Sequence, residues 1–174
     1  MSSINKRRAG IATVCSRLGT GLLALVILIC IPVTVPKLFG YEPYTVISGS
    51  MEPAIAIGSL VYVRDVEPEA VVAKDVIAYY GGRDQDTVIT HRVMENQTFE
   101  KKFITKGDAN SENDINPVLY HNLIGKVEVT VPKLGFAAQF LGDRNGKRAL
   151  ICVIGLAVVL HTISMLLGRR QNID

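Results

Sequence analysis

Two uncharged apolar blocks, each about one bilayer long, bracket a polar centre and constrain this chain more than any other feature. Between Arg17 and Lys37 runs LGTGLLALVILICIPVTVP, and between Arg148 and Arg169 runs ALICVIGLAVVLHTISMLLG. A helix needs roughly 20 apolar residues to cross the hydrocarbon core of a membrane. Both blocks meet that length, so each predicts a transmembrane helix, over residues 18–37 and 149–168. Lys6, Arg7 and Arg8 precede the first block, as they would in a cleavable signal peptide. That block is longer than an h-region of about 7–15 residues, and VTVPKLFG offers no Ala-x-Ala site, so a retained helix is the better reading. Pro32 and Pro36 are expected to kink or end it. His161 is the one histidine in either block and has no acidic or basic partner there. It reads as an imidazole near a helix end or against the partner helix, not as a proton relay.

Two spans put both termini on one side. Lys6, Arg7, Arg8 and Arg17, with Arg169 and Arg170, assign that side to the cytoplasm. Arg144, Lys147 and Arg148 flank the second block on the other side. A loop longer than about 60 residues translocates largely regardless of its charge, so the N-terminal cluster decides. The expected layout is a cytoplasmic basic segment at 1–17, a helix at 18–37, an extracytoplasmic domain at 38–148, a helix at 149–168 and a cytoplasmic tail at 169–174. A cell-membrane, multi-pass location follows from it.

Composition narrows the function. Charged residues are 20% of the chain and hydrophobic ones 48%, against about 25% charged in soluble domains, and the imbalance sits in the two blocks. A net charge of +3 without a basic run interleaved with aromatics argues against nucleic acid as a partner. Cys15, Cys30 and Cys152 lie in or beside the apolar blocks, so the centre is expected to hold neither a disulfide nor a thiolate metal cluster.

The centre reads as mainly β. IAIGSLVYVRDV (55–66), DVIAYY (75–80), TVITHRVMEN (87–96), FEKKFITKG (99–107) and LIGKVEVTVP (123–132) alternate or are rich in branched residues, giving about five strands. Gly81-Gly82 marks a reversal after the second of them. The stretch 108–120 is expected to be a polar loop, and no part of the centre shows sustained helical periodicity. A small, closed or folded-over antiparallel sheet fits. PKLGFAAQFLGD (132–143) is apolar and reads either as core or as a segment resting at the lipid interface. Asn96-Gln97-Thr98 is a glycosylation sequon on the outer side, its use left open.

The chemistry resides in three short stretches. ISGSMEP (47–53) carries Ser50 among small neighbours, which leave room for a backbone to approach closely, as a nucleophile and its oxyanion hole require. His91 sits in the strand-like TVITHRVMEN. KGDANSEND (106–114) holds Asp108 and Asp114 in one loop. Alone, each has an ordinary explanation: a Ser-Gly-Ser loop, a structural strand histidine, a solvated turn. Together they hold the parts of a triad, in which a base removes the hydroxyl proton and an acid orients that base. Either aspartate could reach His91. Asp108, just after Gly107, is also placed to cap its own turn through nearby N–H groups.

Serine followed by Met-x-Pro soon after a membrane helix, then His-Arg in a strand, then Lys-Gly-Asp-x-Asn with a second Asp downstream, resembles signal peptidase I. It is closer to the type of the endoplasmic reticulum, archaea and some Gram-positive bacteria than to the common bacterial type. The likeness covers Ser48 to Asp114, with a continuation through LIGKVEVTVPKLGF. It implies Ser50 as nucleophile and His91 as base, in the slot where the common bacterial type has lysine. It implies Asp114 as the triad acid, Asp108 as a second important aspartate, and the Ser48 hydroxyl beside the Ser50 N–H at the oxyanion. The implied fold is an all-β catalytic domain flanked here by two transmembrane helices. The implied substrate is a signal peptide of an exported preprotein, small at −1 and −3, met at the lipid bilayer, with the secretion translocon or accessory subunits as further partners. Such hydrolysis requires no cofactor and no metal.

Two other readings remain. A Ser–Lys protease would need Lys74, Lys102 or Lys106 buried and uncharged, and an acidic loop beside Lys106 works against that. A membrane-tethered binding or assembly module would suit two helices and a β domain, but leaves the co-occurrence of Ser50, His91 and Asp114 unexplained.

Overall fold

The computed structural model describes residues 2–81 and 87–169. The chain divides into two compact units, one of residues 33–139 and one of the two terminal helical segments. The first unit is built on seven strands: β1 (Tyr41–Thr45), β2 (Leu60–Arg64), β3 (Val76–Gly81), β4 (Thr87–Gln97), β5 (Lys102–Lys106), β6 (Val118–Leu119) and β7 (Leu123–Val131). They form one antiparallel sheet in the order β1-β2-β7-β3-β4-β5-β6. The mainly β, antiparallel expectation agrees with this sheet. All five strand-like stretches carry strands, although 55–59 forms turn rather than strand ahead of Leu60. The expected reversal at Gly81-Gly82 begins at the end of β3, and Gly82 lies outside the described residues.

Side chains alternate across a strand, and β3 buries both of its faces. Ile77 and Tyr79 join one core with Val71, Val93, Phe103 and Val118. Ala78 joins the other with Met51, Ile55, Val61 and Val63. Strand β7 bridges the two halves by pairing with β2 on one side and β3 on the other, with a register shift against each. Gly125 makes that bend possible: a Cβ there would lie 2.2 Å from the Arg64 carbonyl oxygen.

Three elements were not anticipated. Strand β1 contains Pro43, and β6 is two residues long. PKLGFAAQFLGD carries a helix, α2 (Leu134–Gly142), after α1 (Ser2–Thr34) in chain order. Its start is tied to the sheet, with Gly135 N–H donating to the Gly58 carbonyl at 2.9 Å and Thr45 Oγ1 donating to the Gly135 carbonyl at 3.2 Å.

The sequon asparagine is part of the framework. Asn96 Nδ2 donates to the carbonyls of Pro68 (2.9 Å) and Val71 (2.8 Å), and its Oδ1 accepts from the Tyr120 hydroxyl at 2.6 Å. Both amide hydrogens are engaged, so an N-linked glycan on that nitrogen would break the staple joining β4 to the 68–71 turn.

The second unit holds α1 and α3 (Arg144–Arg169). Both are long and apolar enough to cross a membrane, by length and composition. Their surfaces expose large apolar side chains, among them Leu25, Leu28, Ile151 and Leu166, which water would not favour. Pro32 lies inside α1 instead of ending it. The helix stops at Thr34, ahead of Pro36, which opens a 3-10 turn at Pro36–Phe39. Gly19 and Ala157 are buried, and a Cβ on Gly19 would stand 3.0 Å from His161 Cδ2, so the imidazole rests against the partner helix. Small residues let two helix backbones approach this closely. Of the expected tail, residues 170–174 lie outside the described residues.

Candidate active site

Sheet register assembles one side of the site. Ile77 of β3 stands opposite His91 of β4, and Val93 of β4 opposite Thr105 of β5. Paired residues share a face, and so do residues two apart along a strand. Tyr79, His91 and Thr105, on three neighbouring strands, therefore point the same way. The polar loop after β5 returns over that face and delivers Asp114. Its Oδ2 lies 2.6 Å from His91 Nδ1, accepts from Thr105 Oγ1 at 2.7 Å, and lies 3.5 Å from the Tyr79 hydroxyl. The Tyr79 hydroxyl is also 3.4 Å from His91 Nδ1. Burial pushes the Tyr79 phenol up to about 12, so it keeps its proton at neutral pH and can only donate to the carboxylate.

Ser50 comes from the turn between β1 and β2. That turn is zipped at its base, with Val46 N–H donating to Ser59 O and Gly58 N–H to Val46 O. Met51 and Ile55 insert into the core and hold the turn down. The Glu52–Pro53 peptide within it is cis. Ser50 is half-buried beside the exposed Ser48, and the two hydroxyl oxygens are 3.4 Å apart. Among the described residues no hydrogen bond joins Ser50 to His91. Catalytic hydrogen bonds are often long or misaligned without substrate.

What brings the serine turn to the histidine is Gly107. A Cβ on it would sit 2.6 Å from the Ser50 carbonyl oxygen and 3.1 Å from His91 Nε2. His91 Nε2 and the Ser50 carbonyl oxygen therefore both border the space that one methyl on this glycine would fill. Ala109 N–H locks the approach by donating to Ser50 O at 2.9 Å. Gly107→Ala is expected to wedge the two apart and lower kcat by about 100-fold, since displacements near 1 Å cost that much. Steady-state kinetics and melting temperature check it, the expected variant being folded but slow.

Asp108 does something different from Asp114. Both its oxygens accept from Arg92, at 2.7 Å from Nε and 2.6 Å from Nη2, while Arg92 Nη1 reaches the Lys74 carbonyl at 2.8 Å. It thus ties the loop to β4 instead of capping its own turn. These hydrogen bonds from Arg92 hold the Asp108 carboxyl below the usual carboxylate range, with burial opposing. A depressed carboxyl contributes stability above its unfolded value, about 3.9, and loses it as pH falls through the folded value. Asp108→Asn is expected to destabilise the protein by about 2 kcal/mol at neutral pH. Melting temperatures of the two proteins should converge as pH drops below about 3.9.

None of the lysines considered as a base sits on the serine. Lys106 Nζ donates to the Ser111 carbonyl at 3.3 Å, Lys102 pairs with Glu100, and Lys74 is exposed. Tyr79 and Thr105 are the residues that sequence reasoning passed over. Thr105 occupies an inward position of KFITK, alternating with the buried Phe103. A hydroxyl at an inward strand position two residues before Gly-Asp was the available signal.

Two cavities adjoin the site. One of about 190 Å³ lies between Tyr44–Ser48 and Thr87–Thr90, with Ser50 and Met51 at its wall. The other, about 940 Å³, is lined by Tyr80, Ile89, His91 and the Asp114 loop.

No family model matches the chain. Among curated proteins, it is 38% identical over 91 residues to signal peptidase I W of Bacillus subtilis, covering 51% of this chain and 47% of that one. It is 32% identical over 128 residues to the signal peptidase complex catalytic subunit of Neurospora crassa, covering 67% of this chain and 73% of that one. The corresponding Saccharomyces cerevisiae subunit is 33% identical over 127 residues, with 66% and 75% covered. The match thus spans about half the length of the bacterial relative and about three quarters of the fungal ones.

Proposed function

The chain belongs to the signal peptidase I family, and from that premise we propose that it is a membrane-bound serine endopeptidase removing N-terminal signal peptides from exported preproteins. Ser50 is the nucleophile, His91 the general base and Asp114 the acid that orients it. The observation that best supports this is the 2.6 Å contact between His91 Nδ1 and Asp114 Oδ2, with the opposite ring nitrogen turned toward the Ser50 turn. Nδ1–H held by a carboxylate leaves Nε2 as the proton acceptor.

In the reaction, Ser50 Oγ leaves Ser48 and turns to His91 Nε2. It transfers its proton there as it attacks the carbonyl carbon of the scissile peptide. The oxyanion is met by the Ser50 N–H and the Ser48 hydroxyl. The imidazolium, stabilised by Asp114, then protonates the departing amine of the mature chain. A water, deprotonated by His91, attacks the acyl-serine ester and releases the signal peptide.

The cavity between 44–48 and 87–90 has strand β4 along one wall and, along the other, the end of β1 with the 46–48 segment after it, and the substrate lies between them as an added strand with alternate side chains in pockets. Small residues at −1 and −3 of the substrate are what membership of the family proposes. The apolar segments at 18–37 and 149–168 anchor the enzyme, with both termini in the cytoplasm and the domain at 38–148 outside. Anchoring confines enzyme and signal peptide to one surface and raises their effective concentration. The fungal relatives are named as subunits of a complex, and accessory subunits are the matching proposal for partners here.

The test is cleavage of a preprotein by detergent-purified protein, with the substrate's −1 residue changed from Ala to Leu. Loss of cleavage supports the reading, and equal cleavage of both substrates contradicts it.

A further inference from the structure

We infer that Thr105 is a positioning residue for this reaction, holding Asp114 where it can orient His91. The inference rests on the triad reading above. Asp114 lies on a loop of exposed residues; its neighbours Asn113 and Ile115 are both open to solvent. A carboxylate on such a segment would otherwise sample many positions. Thr105 grips it twice. The Thr105 carbonyl accepts the Asp114 N–H at 2.8 Å, and Thr105 Oγ1 donates to Asp114 Oδ2 at 2.7 Å. One residue thereby fixes both the backbone and the carboxylate of the other.

Thr105 is itself fully buried, at 0% exposure, on β5 opposite Val93. The direction of its side-chain bond follows from chemistry: an ionised carboxylate has no proton, so the hydroxyl must donate. That bond takes up one lone pair of Oδ2 and leaves another for His91 Nδ1, 2.6 Å away. Thr105 thus keeps the carboxylate aimed at Nδ1, where it can stabilise the imidazolium as that forms. It touches neither substrate nor reacting atoms, so its whole effect should pass through Asp114.

The experiment measures kcat, KM and melting temperature of the full chain in detergent, with a signal-peptide substrate. The variants are Thr105→Val, Thr105→Ser, Asp114→Asn and the double variant Thr105→Val with Asp114→Asn. Thr105→Val keeps the shape and removes the donor; Thr105→Ala replaces it if valine fails to fold. The expected result is a kcat loss of about 10- to 100-fold for Thr105→Val, with KM within about twofold. Thr105→Ser should recover to within about threefold of wild type. In the Asp114→Asn background the valine change should cost less than about twofold, because the route for its effect is gone. An inactive Asp114→Asn beside a fully active Thr105→Val would overturn this inference and leave the triad intact. So would an equal loss from Thr105→Val in both backgrounds, the mark of a merely structural role. Wild-type activity in Asp114→Asn would overturn the triad reading and this inference with it.

Discussion

Ser50→Ala is expected to abolish signal-peptide cleavage, lowering kcat by about 10⁶-fold, while expression, membrane insertion and melting temperature stay at wild-type values. Removing the nucleophile of a serine protease leaves only the binding and oxyanion contributions. The fold should not notice the change. Ser50 is half-buried, and among the described residues its hydroxyl has one partner, the exposed Ser48 at 3.4 Å. What holds the turn are the buried Met51 and Ile55 and the bond from Ala109 N–H to the Ser50 carbonyl, all of which alanine preserves. Substrate affinity should survive too, since the cavity walls at 44–48 and 87–90 are untouched. The variant should therefore bind uncut preprotein, and pull-down beside a cleavage assay measures both. Cleavage at the wild-type rate would remove Ser50 from the mechanism.

The second large effect is at Asp114. Asp114→Asn is expected to lower kcat by roughly three to four orders of magnitude with little change in KM. The asparagine amide can present either its NH₂ or its oxygen to His91 Nδ1. Thr105 and Tyr79 both have hydroxyl protons to give at this point, at 2.7 and 3.5 Å from the same oxygen. That same oxygen faces His91 Nδ1 at 2.6 Å, so an amide NH₂ in its place donates to Nδ1 and selects the tautomer with the proton on Nε2, which cannot accept from serine. An amide oxygen in its place still accepts from Thr105, Tyr79 and Nδ1–H but carries no charge. Either way the imidazolium loses its counter-charge. Asp108→Asn should behave in the opposite sense, losing stability through Arg92 more than turnover. If Asp108→Asn is as inactive as Ser50→Ala without loss of melting temperature, while Asp114→Asn stays active, the two roles must be exchanged.

Much of this was readable before any coordinates, for identifiable reasons. Strands β2, β3, β4, β5 and β7 declare themselves through alternation and branched side chains. The three motifs stand in the right order because each supplies an uncommon local need: small residues at Ser50, a histidine on a strand, and a glycine ahead of two acids. What was missed has physical causes. Pro43 argues against a strand, but β1 is at the sheet edge, where a missing N–H leaves no ladder bond unmade. Strand β6 is too short for any period to show. Helix α2 has nine residues, about two and a half turns at 3.6 per turn, and its mostly apolar sequence hides which face is buried. Thr105 and Tyr79 escaped because their role depends on register between strands, which one-dimensional spacing does not encode. The division between Asp114 as triad acid and Asp108 as a loop-ordering residue was expected from the resemblance, but spacing did not reveal Arg92 as the partner of Asp108, because that depends on how a loop of mostly polar residues folds back.

The most direct test of the central claim is the N-terminal sequence of the product. Detergent-purified wild type and Ser50→Ala are incubated with the same preprotein, and the mature fragment is sequenced. The account predicts a single new N-terminus in the wild-type reaction, placed just after a small-x-small stretch at the end of the signal peptide, and none with Ser50→Ala. A fragment that appears equally with both proteins, or a wild-type cut at unrelated positions, would contradict it.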